Sequence, residues 1–309
     1  MASAYCNCSN IKKAVFGPNV TNGAYSYAYC YNLVEAAWPP KISNINYMNN
    51  AFRNCAIINA VCGDNVINMY NFYKVVYNGC PLQWAACGNN VVDMTYAYNG
   101  SHVIYAACGP NVTEMYMAYR DCYRLREAAC GPNVTTMGYT YQYCGNLINA
   151  ACGPNVNKMY MTYANCNNLI NAVCGPNVDD FRNTYENCDR LVRAVCGPKV
   201  TTLRYTYSRC YNVCGNMYLY SNNISNVQNC FLYRWNTNSL NIYVKNNSKT
   251  LNTIRYNTST SNSLTGNSIS WSNYGSYLKN AKENIYIYIV DDVDAARKAN
   301  GDPDYMGNL

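Results

Sequence analysis

The element Gly-Pro-Asn-Val recurs at 17–20, 109–112, 131–134, 153–156 and 175–178, and this repetition limits the fold more than any other feature of the chain. Variants fill the gaps at Pro39-Pro-Lys-Ile42, Gly63-Asp-Asn-Val66, Gly88-Asn-Asn-Val91 and Gly197-Pro-Lys-Val200. From Val112 to Val200 every step is 22 residues, and the earlier steps are 22, 24, 25 and 21. A fixed period of this length marks an architecture in which one supersecondary unit cannot bury its apolar face alone and does so against its neighbours.

One unit reads Leu147-Ile-Asn-Ala150-Ala-Cys152-Gly-Pro-Asn-Val156-Asn-Lys-Met159-Tyr-Met-Thr-Tyr163-Ala-Asn-Cys166. Leu147-x-x-Ala150-x-Cys152 has the spacing of a leucine-rich-repeat strand. Alternation turns Ala150 and Cys152 to one face and Ala151 to the other. Gly-Pro then breaks the strand and turns the chain. Val156, Met159 and Tyr163 follow at spacings of three and four, which predicts a short helix or 3₁₀ arc closing the coil.

Four ladders follow from this register. Aromatic residues stand at Tyr5, Tyr27, Phe52, Tyr77, Tyr98, Tyr119, Tyr141, Tyr163, Tyr185 and Tyr207. Cysteines stand three residues further on, from Cys8 and Cys30 to Cys188 and Cys210, with Ser101 in the single gap. A second cysteine column runs Cys62, Cys87, Cys108, Cys130, Cys152, Cys174 and Cys196, with Phe16 and Trp38 in its earlier slots. Ile45, Met69, Met94, Met115, Met137, Met159, Phe181 and Leu203 form the fourth. Only an inward position needs the same residue type in every turn, so each ladder is expected inside the coil.

Beyond residue 216 the pattern changes. Alternating runs such as Leu240-Asn-Ile-Tyr-Val244 and Ile285-Tyr-Ile-Tyr-Ile-Val290 read as strands, and the run from Asp291 to Asn300 as a short helix stopped by Gly301. Cys230 reads as part of one degraded final repeat. The expected fold is therefore an α/β repeat solenoid, a leucine-rich-repeat coil with a parallel sheet on one side. Its repeats occupy residues 1–216, and residues 217–309 form a β-rich capping or attachment segment.

The nineteen cysteines invite a disulfide or metal reading. Their odd number and ladder spacing predict buried thiols acting as small hydrophobes instead. Cys6 with Cys8, and Cys210 with Cys214, are close pairs lacking a second pair at zinc-ligand spacing. His102 is the only histidine, placed in a loop after Ser101, so Cys-His or Ser-His catalysis has one candidate base. No phosphate loop and no G-x-G-x-x-G is present. These observations predict no catalytic residue, no cofactor and no metal. The net charge of +7 is spread without a dense basic run, which argues against nucleic acid. The opening Met1-Ala-Ser-Ala-Tyr-Cys-Asn-Cys lacks the blocks of a secretory leader, and no apolar stretch is long enough to span a bilayer. Cytoplasmic synthesis without membrane insertion is expected.

The repeat resembles the BspA-like family of leucine-rich repeats. That family's unit has an Ile-Pro-x-x-Val turn, then x-x-Ile, then Ala-Phe-x-x-Cys. The last element stands here as Ala51-Phe52-Arg-Asn-Cys55 and Thr140-Tyr141-Gln-Tyr-Cys144. Tyr replaces most of the Phe, and Cys replaces most aliphatics at the strand end. The strand face pointing away from the core is the usual binding surface of such an architecture. Trp84, Tyr105, Arg126, Glu127, Asn149, Asn171 and Arg193 are its candidate residues, with apolar and small neighbours such as Val61. Chains of this type ending in an Asn/Tyr-rich strand segment and a run like Val293-Asp-Ala-Ala-Arg-Lys-Ala-Asn-Gly-Asp302 look like phage or prophage proteins of gut bacteria. The resemblance implies a virion component or host-attachment protein that meets a protein or a host-surface ligand such as a glycan. A protein–protein interaction scaffold is the alternative. The N-terminal edge, with Tyr5, Ile11, Lys12, Lys13 and Phe16, has no earlier coil to cover it. It is expected to expose Ala14 and Phe16 as well, and to dock onto a second copy or a larger particle.

Overall fold

A computed structural model describes residues 2–60, 62–234, 237–256, 270–271, 277–280 and 284–302. Val61, expected on the outward strand face, lies outside these residues. The chain divides into two compact units, Met1–Cys144 and Gly145–Leu309.

In the first unit the strands are short and parallel, as the repeat spacing predicts. β1 (Lys13–Ala14) pairs with β2 (Glu35–Ala36). β3 (Asn59–Ala60), β4 (Trp84–Ala85) and β5 (Tyr105–Ala106) form a three-stranded sheet. Just past the Gly-Pro turn a second parallel ladder joins the coils through the bridges Asn68 to Asp93, Asp93 to Glu114 and Glu114 to Thr136.

The closing arc departs from the expected helix. Met115, Met117, Tyr119 and Asp121 donate their N–H groups to Thr136, Gly138, Thr140 and Gln142 of the next coil. The N–H groups between them, from Ala118, Arg120 and Cys122, close turns onto the carbonyls three residues back. A helix would spend every N–H inside its own coil. Alternation instead gives half of them to the neighbour. The geometry requires left-handed backbone twice per coil, at Met117 (φ 54°) and Asp121 (φ 63°) here, and two residues before and after the ladder aromatic in the other coils except that of Tyr77, where α1 takes the first position. In this unit, helix forms among the described residues where the coil carries extra residues. The longer repeats hold the 3₁₀ turn Ile45–Met48 and α1 (Phe72–Val76).

The second unit repeats this arc, with Met159, Met161, Tyr163 and Asn165 donating to Asp180, Arg182, Thr184 and Glu186. Its bridges run from Lys158 through Asp180 and Thr202 to Asn226. The coil pattern therefore reaches past residue 216. Phe231 stacks on Tyr207 at 5.5 Å, and Arg234 takes the cysteine slot, fully buried and donating to the carbonyls of Val213 and Asn238. Cys230 does not continue either cysteine column. It occupies the slot before the aromatic, where Thr206 stands one coil earlier.

β6 (Gly215–Leu219) and β7 (Leu240–Lys245) pair in parallel, and α2 (Lys249–Tyr256) follows. β8 (Ser270–Trp271) and β9 (Tyr277–Asn280) run antiparallel to each other, and β9 pairs antiparallel with β10 (Ile285–Val290), which lies parallel to β7. Leu240, Ile242 and Val244 are buried while Asn241 and Tyr243 are half-exposed, the alternation of a one-sided strand. α3 (Val293–Ala299) starts on the Asp292 carboxylate, which accepts from the N–H groups of Asp294 and Ala295. It stops at Gly301, whose φ of 68° suits a residue without Cβ.

The ladders form the core of each unit. Tyr98, Tyr119 and Tyr141 stack with centroids 5.6 Å apart, as do Tyr163, Tyr185 and Tyr207 at 5.5 to 5.6 Å. The methionine column is buried from Met69 to Met159. The N-terminal members differ from expectation: Tyr5 is 42% exposed and Cys8 is half-buried, because no coil covers their outer side among the described residues.

Candidate binding surface

The two cysteine columns have different partners. In the first, the thiol donates to the carbonyl of an aromatic-ladder residue one coil back. Cys80 reaches Phe52 at 2.8 Å, Cys144 reaches Tyr119 at 3.1 Å and Cys188 reaches Tyr163 at 3.1 Å. In the second, sulfur accepts the N–H of the next coil's glycine: Gly88 to Cys62 at 3.1 Å, Gly109 to Cys87 at 3.0 Å and Gly197 to Cys174 at 3.3 Å. Burial pushes these thiols upward, to about 12 for Cys55, Cys80, Cys108, Cys122 and Cys152. A thiol held protonated is a poor nucleophile and a poor metal ligand. Among the described residues no three His, Cys, Asp or Glu side chains gather as a metal site. His102 sits edge-on to Tyr123 at 5.5 Å, while Ser101 is buried against the Cys122 sulfur at 3.5 Å, so the structure does not join them into a catalytic pair.

The outward strand face is built by the short strands. The pairing of β4 with β5 sets Trp84 opposite Tyr105, and their rings stack at 4.2 Å with 20° between planes. Trp84 is half exposed, so the pair presents a flat aromatic platform. On β1 and β2, Lys13 meets Glu35 at 3.1 Å, an exposed pair worth about 0–1 kcal/mol. A shallow depression of about 310 Å³ lies beside them, lined by Lys13, Val34, Glu35 and Asn59. Arg126 and Glu127 are exposed side by side along the chain without an ion pair among the described residues. In the second unit a parallel bridge joins exposed Asn149 and Asn171. Arg193 lines a depression of about 280 Å³ with Cys214, Asn216 and Asp302. The structure thus pairs Trp84 with Tyr105 and Asn149 with Asn171, and leaves Arg126, Glu127 and Arg193 exposed further along the same face.

The N-terminal edge is less open than expected. Tyr5 is exposed but stacks on Tyr27 at 5.2 Å, Ile11 is half-buried, and Lys12 and Lys13 face solvent. Ala14 and Phe16 are buried. Phe16 turns toward the following coils and packs edge-on against Tyr27 at 5.3 Å and Phe52 at 6.1 Å. Gly23 makes the room: a Cβ there would lie 3.0 Å from the Phe16 ring and 2.5 Å from the Met48 sulfur.

The sequence reading missed a third feature. Tyr70, Tyr96, Tyr116 and Tyr139 form an edge-to-face row on the arc, with centroids 5.7, 6.0 and 5.8 Å apart. The signal was a tyrosine one or two residues after the methionine-column residue in four successive repeats, following Met69, Met94, Met115 and Met137.

Six copies of the BspA type leucine rich repeat region match residues 1–83 and 95–214. Among the curated proteins none matches the chain. A leucine-rich repeat protein from Bacteroides ovatus is 10% identical, with 83% of this chain and 84% of that one covered and a TM-score of 0.42. The leucine-rich repeat protein of T. pallidum is 14% identical over 51% of this chain and 67% of its own, at a TM-score of 0.38. The pneumococcal vaccine antigen PcpA is 12% identical over 77% and 63%, at a TM-score of 0.37.

Proposed function

This chain belongs to the BspA-type leucine-rich repeat family, and from that premise we propose that it is a non-enzymatic binding protein whose outward strand face meets a protein partner. The observation that carries this reading is the Trp84–Tyr105 platform, with rings 4.2 Å apart on adjacent strands. Tryptophan and tyrosine dominate the energetics of protein interfaces, and an exposed indole does nothing for the core. The buried thiols support the same reading from the other side, since burial holds Cys55, Cys80, Cys108, Cys122 and Cys152 protonated.

The finer form of the proposal is a virion-associated or host-attachment component, and it rests on the resemblance of the C-terminal segment to phage proteins. Tail and capsid genes beside the coding sequence would support it. A locus without them favours the interaction scaffold. The binding role itself is tested by placing a photo-crosslinking amino acid at position 84 and, as a control, at exposed Tyr123. A partner that crosslinks from position 84 alone, and is lost on Tyr105→Ala, supports the proposal. Equal labelling from both positions, or none from either, overturns it.

A further inference from the structure

The two longest repeats carry extra residues, which form the 3₁₀ turn Ile45–Met48 and α1, and between these repeats lies a groove of about 340 Å³. In repeat architectures, insertions of this kind gather on a binding face. All residues lining the groove are uncharged. Ile67 and Tyr70 supply its apolar wall and are 59% and 51% exposed. Around them stand the Ser43 hydroxyl and the side-chain amides of Asn44 and Asn46. The Ser43 oxygen, the Asn44 amide nitrogen and the whole Asn46 amide carry no hydrogen bond among the described residues. Asn68 is committed instead: it accepts from the Tyr70 N–H at 2.7 Å and donates to Asp93 at 2.8 Å, which holds the Tyr70 loop in place.

We infer that this groove is a saccharide-binding site, separate from the strand face, with Tyr70 as its stacking platform and Ser43, Asn44 and Asn46 as its polar contacts. Each part of the wall selects for that chemistry. A sugar ring presents C–H groups on one face, which pack on an aromatic or branched aliphatic side chain. Its hydroxyls both donate and accept, as amide and hydroxyl side chains do. A phosphate, a sulfated polymer or a peptide terminus would require a charge opposite its own, and the groove has none. The ligand is therefore a neutral oligosaccharide. Beyond the groove, Tyr70 begins the edge-to-face tyrosine row that continues through Tyr96 and Tyr116.

Isothermal titration of the full chain with maltoheptaose, mannohexaose, N-acetylchitohexaose and N-acetyllactosamine tests the site, with heparin as the polyanionic control. At least one neutral saccharide is expected to bind. Tyr70→Ala and Ile67→Ser are each expected to weaken it by about tenfold or more, as loss of a stacking contact and its desolvation would. Trp84→Ala should leave it unchanged, and that arm separates this site from the strand face. Both positions are exposed, so unchanged thermal unfolding of the variants is the folding check. The inference is overturned if no neutral saccharide binds, if heparin alone binds, or if binding follows Trp84 rather than Tyr70.

Discussion

The Tyr185 hydroxyl donates to the carbonyl of Val173 at 2.7 Å and accepts the N–H of that same residue at 2.8 Å. Tyr207 treats Val195 identically, at 2.6 and 2.8 Å. In earlier coils the N–H at this position joins the strand ladder instead, as Ala107 does to Ala85 at 2.9 Å. Where the strand ladder stops, the phenol takes over its work. Phenylalanine, which the family carries in this slot, has no atom for it.

Tyr185→Phe should therefore cost about 1–3 kcal/mol, because it strands a buried N–H and leaves the ring in place. Tyr119→Phe should cost about 1 kcal/mol or less, since Ala107 keeps its strand partner and loses only the 3.0 Å bond from the phenol. Urea unfolding of the two variants measures the difference. Equal costs would mean that the phenol does not replace the strand.

The thiols make stability fall in alkali. Burial raises the pKa of Cys55, Cys80, Cys108, Cys122 and Cys152 from the ordinary 9.0 to about 12. In the unfolded chain these groups ionise first, so above pH 9 the unfolded state binds fewer protons than the folded one. Their contribution is complete below pH 9 and is lost as the pH rises toward about 12. Denaturant midpoints measured from pH 7 to 11 should stay flat to about 9 and then decline. A rise in that window would place the thiols in solvent.

Much of the fold was legible because the period fixes the register. Once Val156, Met159 and Tyr163 are aligned with their equivalents, the inward columns follow, and the structure buries all three. The arc was misread because spacings of three and four fit a helix as well as a pair of turns. Local periodicity cannot distinguish an N–H bonded within its coil from one bonded to the next. The Trp84–Tyr105 stack was legible from the strand register, whereas Phe16 was not: its burial depends on Gly23 leaving space one coil away. The groove at Tyr70 escaped notice because its residues belong to the irregular repeats, where no column predicts them.

Left-handed backbone at non-glycine residues leaves a mark that substitution can read. Met161 has φ of 55°, and its side chain is half exposed. Left-handed backbone costs an ordinary residue about 1–2 kcal/mol, and glycine's extra chain entropy offsets about 0.5–1 kcal/mol of the relief. Met161→Gly is thus expected to lie within about 1 kcal/mol of the parent. Met161→Val should be destabilising by more than about 1 kcal/mol, because branching at Cβ worsens the clash. Chemical denaturation of both variants decides it, and a valine variant as stable as the glycine one would mean that the turn adopts another backbone geometry in solution.

Truncating one ladder ring should act locally. Tyr119→Ala removes a fully buried ring that stacks between Tyr98 and Tyr141, a change expected to cost about 3–5 kcal/mol. Stability in stacked repeats is carried by nearest neighbours. Amide exchange should accelerate at the coils holding Tyr98 and Tyr141 and stay near parent rates at β1 and β2. Uniform acceleration across Met1–Cys144 would show that this unit opens as a single cooperative block.

The binding surface is expected to separate stability from recognition. Trp84 stacks on Tyr105 and is half exposed, so Trp84→Ala leaves no cavity and should change stability by about 0.5 kcal/mol or less beyond the loss of one ring pair of about 0.5–1.5 kcal/mol. At an interface the same truncation removes an aromatic anchor, and anchors of this type are worth about 2 kcal/mol or more. A partner recovered by crosslinking at position 84 should therefore bind Trp84→Ala at least about thirtyfold more weakly, since each 1.4 kcal/mol is tenfold. Arg126→Ala and Arg193→Ala, which remove exposed charges, should shift the salt dependence of binding more than its strength. If the tryptophan variant binds its partner as tightly as the parent while either arginine variant fails, recognition on this face is electrostatic and the aromatic platform is not its anchor.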